Sequence, residues 1–245
     1  MGQDAYKQKR RIIVFSGAGL SAESGLKTYR DHDGLWESYR IEDVATAEAF
    51  AAHPHRVHRF MSDRRMELAK VTPNAAHHGI AALQTLYPVV NITQNIDDLL
   101  ERSGCTDVVH LHGFLPEICC LACDHVWDIG YADYNDHPCP QCGARETKPN
   151  IILFGDPAPL YQVLHRVFFP VYEEDVLTRH DVIVVIGTMG NVVPIARYLW
   201  GQKCVKILNN LEDSPFVPAD MFDYAFLEPA TNAVDKIMRV IKALN

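Results

Sequence analysis

The sequence predicts an α/β fold: a doubly wound, parallel, Rossmann-type sheet that carries one small inserted module and one helical insertion. Three observations predict it. Short apolar runs recur along the chain, with room for a crossover helix between them. A glycine-rich turn follows the first of these runs, and two Cys-x-x-Cys pairs sit inside the chain rather than at an end.

Strands are expected near 11–15, 89–93, 108–111, 181–186, 203–208 and 224–227. Several are unbroken apolar runs of four to six residues, the pattern of parallel strands covered on both faces. Helices between such strands give a doubly wound sheet. Two stretches break the rhythm. Residues from about 41 to 72 are rich in Ala, His and Arg without strand signals, and are expected as a helical insertion. Residues 118–148 hold both cysteine pairs and polar turns, and are expected as a small separate domain. Residues 1–117 and 149–245 then form the main domain, with a cleft shared between the two units.

The chain has 245 residues, and its formal charge of 23 − 31 = −8 comes without a basic stripe. Nucleic-acid and anionic-membrane surfaces need concentrated positive charge, so neither partner is expected. The N-terminal stretch lacks an apolar signal core, Tyr6 breaks the myristoylation pattern, and no apolar run approaches a membrane span. These features predict a soluble, cytoplasmic protein.

Seven cysteines is an odd number, and four of them are spaced Cys120-x-x-Cys123, fifteen residues, Cys139-x-x-Cys142. Each pair makes a tight turn that aims two sulfurs at one point. Two such turns complete a tetrahedron, the arrangement zinc favours, and four thiolates leave no open position. A structural Zn2+ site is expected, one that contributes directly to folding the module. Cys119 would break the spacing if it replaced Cys120. Cys105, Cys119 and Cys204 read as small apolar residues.

Gly17-Ala18-Gly19-Leu20-Ser21-Ala22 fits the G-x-G-x-x-G/A form of a dinucleotide loop. Its glycines allow a tight turn and close approach of the backbone to a pyrophosphate. The acidic residue usual about twenty positions later has no clean counterpart, because Glu42 and Asp43 fall in the helical insertion. A hydride-transferring dehydrogenase therefore fits poorly.

The loop continues as GAGLSAESGLKTYR. It is followed in order by DGLWESYR, TQNID, LHG, the cysteine pairs, ILFGD, GT and NLE. This series resembles the sirtuin family of NAD-dependent protein lysine deacylases, most of all its short bacterial members related to the desuccinylase class. The likeness runs from about residue 11 to the C-terminus. It implies NAD as co-substrate, a structural zinc, and acylated lysine side chains of proteins as substrate, in a tunnel between the two domains.

By position, the resemblance puts Gly17, Ala18, Gly19 and Ala22 in the phosphate loop, Arg30 toward the pyrophosphate and Tyr29 beside the reacting ribose. Gln94, Asn95, Ile96 and Asp97 would line the nicotinamide and ribose pocket. Gly187, Thr188, Asn210, Leu211, Glu212 and Ala230 would hold the adenosine half. His112 matches the catalytic histidine. Once nicotinamide has left and the acyl oxygen has bonded to the ribose, a base must activate a ribose hydroxyl, and histidine titrates in the right range. Asn95 and Asp97, two apart in extended chain, share a face and complete the expected catalytic group. His53, His55, His58, His77 and His78 read instead as surface or packing residues.

The chain departs from the family pattern at Leu26-Lys27, Leu99-Leu100, Phe114, Leu153 and Met189. None of these removes a catalytic group. Family members that take succinyl or malonyl groups clamp the acyl carboxylate with a Tyr and an Arg three residues apart. Here Arg64 fits the Arg position, Ala45 fits a pocket-widening Ala, and Met61 replaces the Tyr. Arg can pair with a carboxylate, whereas Met offers only adaptable apolar contact. Acetyl, succinyl or malonyl, and bulkier acyl groups are all compatible with that pattern. Phe154 and Gly155 of ILFGD fall where the substrate peptide would dock.

Three functions compete. Protein deacylation, a transferase reaction onto ADP-ribose, calls on His112, the cysteines and ILFGD together. NAD hydrolysis or protein ADP-ribosylation needs the same pocket without peptide docking. A zinc-ribbon nucleic-acid binder or an NAD sensor needs no catalysis, and the acidic balance argues against the first of these.

Overall fold

A computed structural model of the chain describes residues 10–27, 35–36, 39–134 and 136–244. In chain order its strands are β1 (Ile12–Ser16), β2 (Leu35–Trp36), β3 (Tyr39–Arg40), β4 (Val89–Thr93), β5 (Val108–His110), β6 (Gly113–Cys120), β7 (Val126–Asp128), β8 (Thr147–Ile151), β9 (Val182–Ile186), β10 (Val205–Asn210) and β11 (Tyr224–Leu227). The helices are α1 (Gly19–Ala22), α2 (Ile41–Val44), α3 (Ala47–Ala52), α4 (Pro54–Leu68), α5 (Ala75–Leu86), α6 (Leu99–Arg102), α7 (Tyr161–Phe168), α8 (Ile195–Leu199) and α9 (Ala230–Ala243).

Six strands form one sheet in the order β11-β10-β9-β1-β4-β5, and every pairing in it is parallel. The apolar runs explain why. In β1, Ile12 and Val14 face one side while Ile13 and Phe15 face the other, and β9 alternates in the same way. One face packs on α5 and α9 through Ile80, Leu83, Val234 and Ile237. The opposite face packs on α7 and α8 through Leu164, Phe168, Ile195 and Leu199. A sheet covered on both faces has no use for alternating polar residues.

The helices carry their own local reasons. Asn74 caps α5 by accepting from the backbone of Ala76 and His77, and the His77 side chain answers by bonding the Asn74 N–H. Pro54 opens α4, where its missing N–H costs nothing. In α9, the buried residues Ala230, Ala233, Val234, Ile237 and Ile241 form one apolar stripe. Among the described residues no helix is long and apolar enough to cross a membrane.

The expected helical insertion corresponds to α2, α3 and α4. The cysteine module is a three-stranded antiparallel sheet in the order β7-β6-β8. That sheet begins at Gly113 and ends at Ile151, so boundaries drawn at 118 and 148 pass through two of its strands. A fully buried Arg65 ties α4 to this module, donating to the carbonyls of Leu115 and Ala132 and to Ser62 Oγ. The rings of His58 and Tyr134 stack at 3.9 Å across the same contact.

In the parallel sheet, β4 and β5 lie on one side of β1, and β9, β10 and β11 on the other. The chain therefore reverses its winding between β1 and β9. Ligands of open α/β sheets bind outside the carboxyl ends of the strands at such a switch point.

Candidate active site

The glycine loop lies at that switch point. Gly17 N–H donates to the Ile186 carbonyl at 3.0 Å, and Gly19 N–H donates to the Gly187 carbonyl at 2.9 Å. The two loops touch backbone to backbone. A Cβ on Gly19 would lie 2.7 Å from Gly187 Cα, and one on Gly187, whose φ is +67°, would lie 2.3 Å from Leu20 N. These contacts explain the glycines at 17, 19 and 187 independently of any ligand.

Gln94, at the end of β4, reaches across to this loop, and its Nε2 donates to Thr188 Oγ1 at 2.9 Å. Asn95 Nδ2 donates to the Gly17 carbonyl at 3.1 Å and to Ser21 Oγ at 3.2 Å. Ser21 Oγ in turn donates to Asp97 Oδ2 at 2.9 Å. Asn95 and Asp97 thus converge on one hydroxyl. Asp97 keeps some accessible surface, yet burial pushes its carboxyl up to about 6, against Ser21 and the Leu99 N–H, which pull it down. Ile96 is half-buried, and its carbonyl accepts from the Leu115 N–H.

His77 stands behind Ser21, fully buried, with Nε2 3.4 Å from Ser21 Oγ. Its Nδ1 accepts from the Asn74 N–H, so its proton is on Nε2 and points at the serine. Burial holds this ring down to about 4, with His78 adding to the effect. From the sequence, His77 reads as a packing or surface residue and Ser21 carries no assigned role. The available signals were the position of Ser21 inside the glycine loop and the cap residue three positions before His77.

His112 follows β5, and Gly113 makes the turn after it. Gly113 has φ +85°, and a Cβ there would stand 2.2 Å from the Asn150 carbonyl oxygen. The Nδ1 of His112 lies 2.9 Å from the Gln94 carbonyl and Nε2 lies 2.9 Å from the Tyr161 hydroxyl. A carbonyl oxygen only accepts, so Nδ1 carries the proton. Burial lowers the pKa of the ring, while the Gln94 bond works to raise it. The ring is therefore neutral near pH 7, and Nε2 offers a lone pair. Two residues earlier, His110 faces two acceptors, the Asn95 carbonyl at 2.7 Å and Glu101 Oε1 at 2.8 Å. Burial opposes charge on His110, but the bond to Glu101 and its charge outweigh it and raise the pKa.

The remaining positions fall as follows. Asn210 pins the Thr188 peptide from both sides, accepting from its N–H at 2.9 Å and donating to its carbonyl at 2.8 Å. Leu211 and Glu212 are exposed just beyond β10, and Ala230 is buried at the start of α9. Ala18 and Ala22 flank the glycine turn and are half-buried. Tyr29 and Arg30 lie outside the described residues.

Ala45, Met61 and Arg64 are each buried in the helical insertion, and Ala45 and Met61 share a cluster with Leu153. The Arg64 guanidinium bonds Glu67 Oε1 at 2.8 Å and lies 5.2 Å from the Phe60 ring centre. Phe154 N–H donates to the Ala45 carbonyl, and its own carbonyl accepts from the Ala47 N–H. The ILFGD segment is thereby docked on the insertion like a short strand, with Phe154 and Gly155 exposed.

The four cysteines of the two pairs come together, all sulfurs within 4.8 Å of one another. Cys120 and Cys142 Sγ are 3.6 Å apart, and Cys123 and Cys139 Sγ 3.8 Å. A tetrahedron with zinc–sulfur bonds of about 2.3 Å has edges of about 3.8 Å, so the spacing fits that ion. Both turns are built alike. The N–H after each pair, of Asp124 and Gly143, returns to the carbonyl of the first cysteine, and both residues have positive φ. The Sγ of Cys119 faces the Cys120 carbonyl instead, outside the cluster.

A Rossmann-type sheet with a glycine turn at its switch point, a neutral histidine nearby and an inserted four-cysteine module defines a class of nucleotide-using, zinc-bearing enzymes. Comparison with known proteins narrows the class. The description of the Sir2 family matches residues 17–194. An NAD-dependent protein deacylase of Campylobacter jejuni (strain RM1221) is 43% identical over 230 residues, covering 93% of this chain and 94% of that protein. One of Helicobacter hepaticus is 41% identical over 249 residues, covering 93% and 95%. Among solved structures, a Sir2 homologue in complex with NAD superposes with a TM-score of 0.80 at 32% identity, covering 97% of this chain and 92% of the other. A mutant Sir2 homologue with ADP-ribose gives a TM-score of 0.81 at 31% identity, covering 96% and 93%. The chain belongs to the Sir2 family.

Proposed function

We propose that this chain is an NAD-dependent protein deacylase, which moves the acyl group of an acylated lysine side chain to ADP-ribose and releases nicotinamide. The observation that carries the reading is His112. Its Nδ1 is fixed on the carbonyl of Gln94, whose side chain reaches the switch-point loop at Thr188, and its Nε2 is an acceptor. When bound, the dinucleotide supplies the ribose that takes the acyl group as nicotinamide leaves.

In this reading His112 accepts a proton from a ribose hydroxyl at Nε2. Gly17, Ala18, Gly19 and Ala22 let the backbone approach the pyrophosphate. Gln94, Asn95, Ile96 and Asp97 surround the nicotinamide and its ribose, with Ser21 and His77 fixing Asn95 and Asp97 from behind. Gly187, Thr188, Asn210, Leu211, Glu212 and Ala230 hold the adenosine half. Asn210 acts there by shaping the Thr188 turn, since its amide is already committed to that peptide. Cys120, Cys123, Cys139 and Cys142 hold a structural zinc. The parallel sheet and its helices serve as the nucleotide domain and the antiparallel sheet from Gly113 to Ile151 as the zinc domain, with substrate between them.

The acyl group is neutral. Arg64 would be the clamp for an acyl carboxylate, but it bonds Glu67 and lies against Phe60, and Met61 beside it is apolar. A substrate carboxylate would have to share the guanidinium with Glu67, which already holds Nη2, whereas an acetyl or longer apolar chain meets Met61 and Ala45. Peptides carrying acetyl-, succinyl- and longer acyl-lysine, compared by the rate of deacylated product, test this. Neutral acyl groups should be preferred over succinyl by about tenfold or more, and Glu67→Gln should narrow that margin. A succinyl preference in the wild type would contradict the reading.

A further inference from the structure

Tyr161 is the first residue of α7, five positions after the ILFGD segment, and nothing in the sequence singles it out. Its hydroxyl lies 2.9 Å from His112 Nε2, the atom that the proposed reaction needs. Because Nδ1 of this ring holds its proton against the Gln94 carbonyl, Nε2 of the neutral ring can only accept. The phenol must then be the donor. A hydroxyl donating to Nε2 is the same arrangement that a substrate hydroxyl must make before it gives up its proton.

The surroundings leave this contact to the two residues themselves. Apart from the Tyr161 contact, burial and the Gln94 carbonyl act on the His112 ring. His110, on β5, is turned to Glu101 and the Asn95 carbonyl, and Asp97 is turned to Ser21 and the Leu99 N–H. On the far side, Tyr198 of α8 is the titratable group that acts on Tyr161, and together with burial it keeps the phenol protonated.

We propose that Tyr161 is a positioning residue for His112: its phenol occupies Nε2 in the substrate-free enzyme, holds the ring turned to the cleft, and is displaced when the substrate hydroxyl arrives. This rests on the proposed role of His112. The phenol supports the neutral ring only, since an imidazolium would have no lone pair to receive it. Removing the hydroxyl therefore makes protonation of His112 easier in the free enzyme. Once substrate holds Nε2, the phenol no longer matters.

The test compares the wild type with Tyr161→Phe, which keeps the ring and loses only the hydroxyl. The His112 imidazole is titrated by NMR in both proteins without ligand, with His112→Gln used to assign its signal. The titration should move up by roughly 0.5–1 pH unit in Tyr161→Phe, as expected for losing one neutral hydrogen bond. The acid limb of kcat/KM, measured with NAD and an acetyl-lysine peptide, should move with it. The acid limb of kcat, taken with substrates saturating, should coincide in the two proteins. An unmoved NMR titration would overturn the contact, and a variant-dependent kcat limb would overturn the displacement. If neither protein turns over acyl peptide, the deacylase reading fails while the NMR titration still decides whether Tyr161 holds His112.

Discussion

All five residues of β9 are buried, and every one is an aliphatic side chain. Across the described part of 113–151, the buried aliphatic and cysteine side chains are Leu115, Ile118, Cys120, Cys139 and Ile151. Two of those five belong to the four-cysteine cluster, and Leu115 and Ile151 pack into the cluster of the helical insertion. The sheet thus holds its geometry by burying aliphatic surface on two faces, and its strand ends carry the glycine loop, Gln94 and His112 to one place. The cysteine module has a small apolar core of its own and leans on α4 and on its sulfur cluster. One region is held by its own packing and positions a site as a consequence; the other is held by its neighbour and by the cluster.

That contrast is most sharply broken by removing a cysteine. Cys139→Ser should lose the metal and open residues 113–151 to protease, while the parallel sheet keeps its far-UV signal. Zinc content and limited proteolysis check both halves. A variant that releases zinc without local opening would show that the module stands on its own packing.

On the sheet side, Gly187→Ala tests the backbone contact between the two loops. Its Cβ would meet Leu20 N at 2.3 Å from a residue at φ +67°. Stability should fall by about 3 kcal/mol or more, and NAD affinity should fall with it, because both the strain and the clash must be relieved by moving the glycine turn. Thermal unfolding and NAD titration would measure the two effects, and the zinc content should stay intact.

The buried pair behind the loop gives a smaller, pH-dependent effect. His77 is held down to about 4, whereas an unfolded histidine titrates at 6.5, so the unfolded chain takes up the proton first. Stability from His77 is complete above pH 6.5 and is lost as pH falls toward 4, by about 3 kcal/mol at most. Asp97 works in the opposite sense. Raised to about 6 from 3.8, it favours the folded protein at low pH and loses that contribution as pH rises through 6. The two nearly cancel between pH 4 and 6. In His77→Gln only the Asp97 effect remains, so the variant should gain stability relative to wild type as pH falls through that window. Urea unfolding at pH 4.5 and 7.5 reads the difference, and equal shifts in both proteins would contradict it.

Much of this arrangement was legible in the chain. Apolar runs placed the six parallel strands because strands buried on both faces leave no polar interruption, and the cysteine spacing placed the cluster because each turn is local. Gln94, Asn95, Asp97 and His112 were legible as a motif, and the fold gathers them at the ends of β4 and β5. The contacts that complete the site were not legible. Ser21 meets Asp97 across 76 positions of chain, and His112 meets Tyr161 across 49. Such pairs are set by strand order and register, which no local pattern encodes. The Arg64–Glu67 bond is the exception, since residues three apart on a helix are neighbours by construction and the pairing was open to reading.

The most direct test of the account is nicotinamide release from NAD, measured with and without an acetyl-lysine peptide, in the wild type and in His112→Ala. The account predicts that release in the wild type depends on the acylated peptide. It also predicts that His112→Ala lowers the rate of deacylated product by about 10²–10⁴. NAD consumed equally without peptide would contradict it, and would make the protein an NAD hydrolase or ADP-ribosyltransferase built on the same fold.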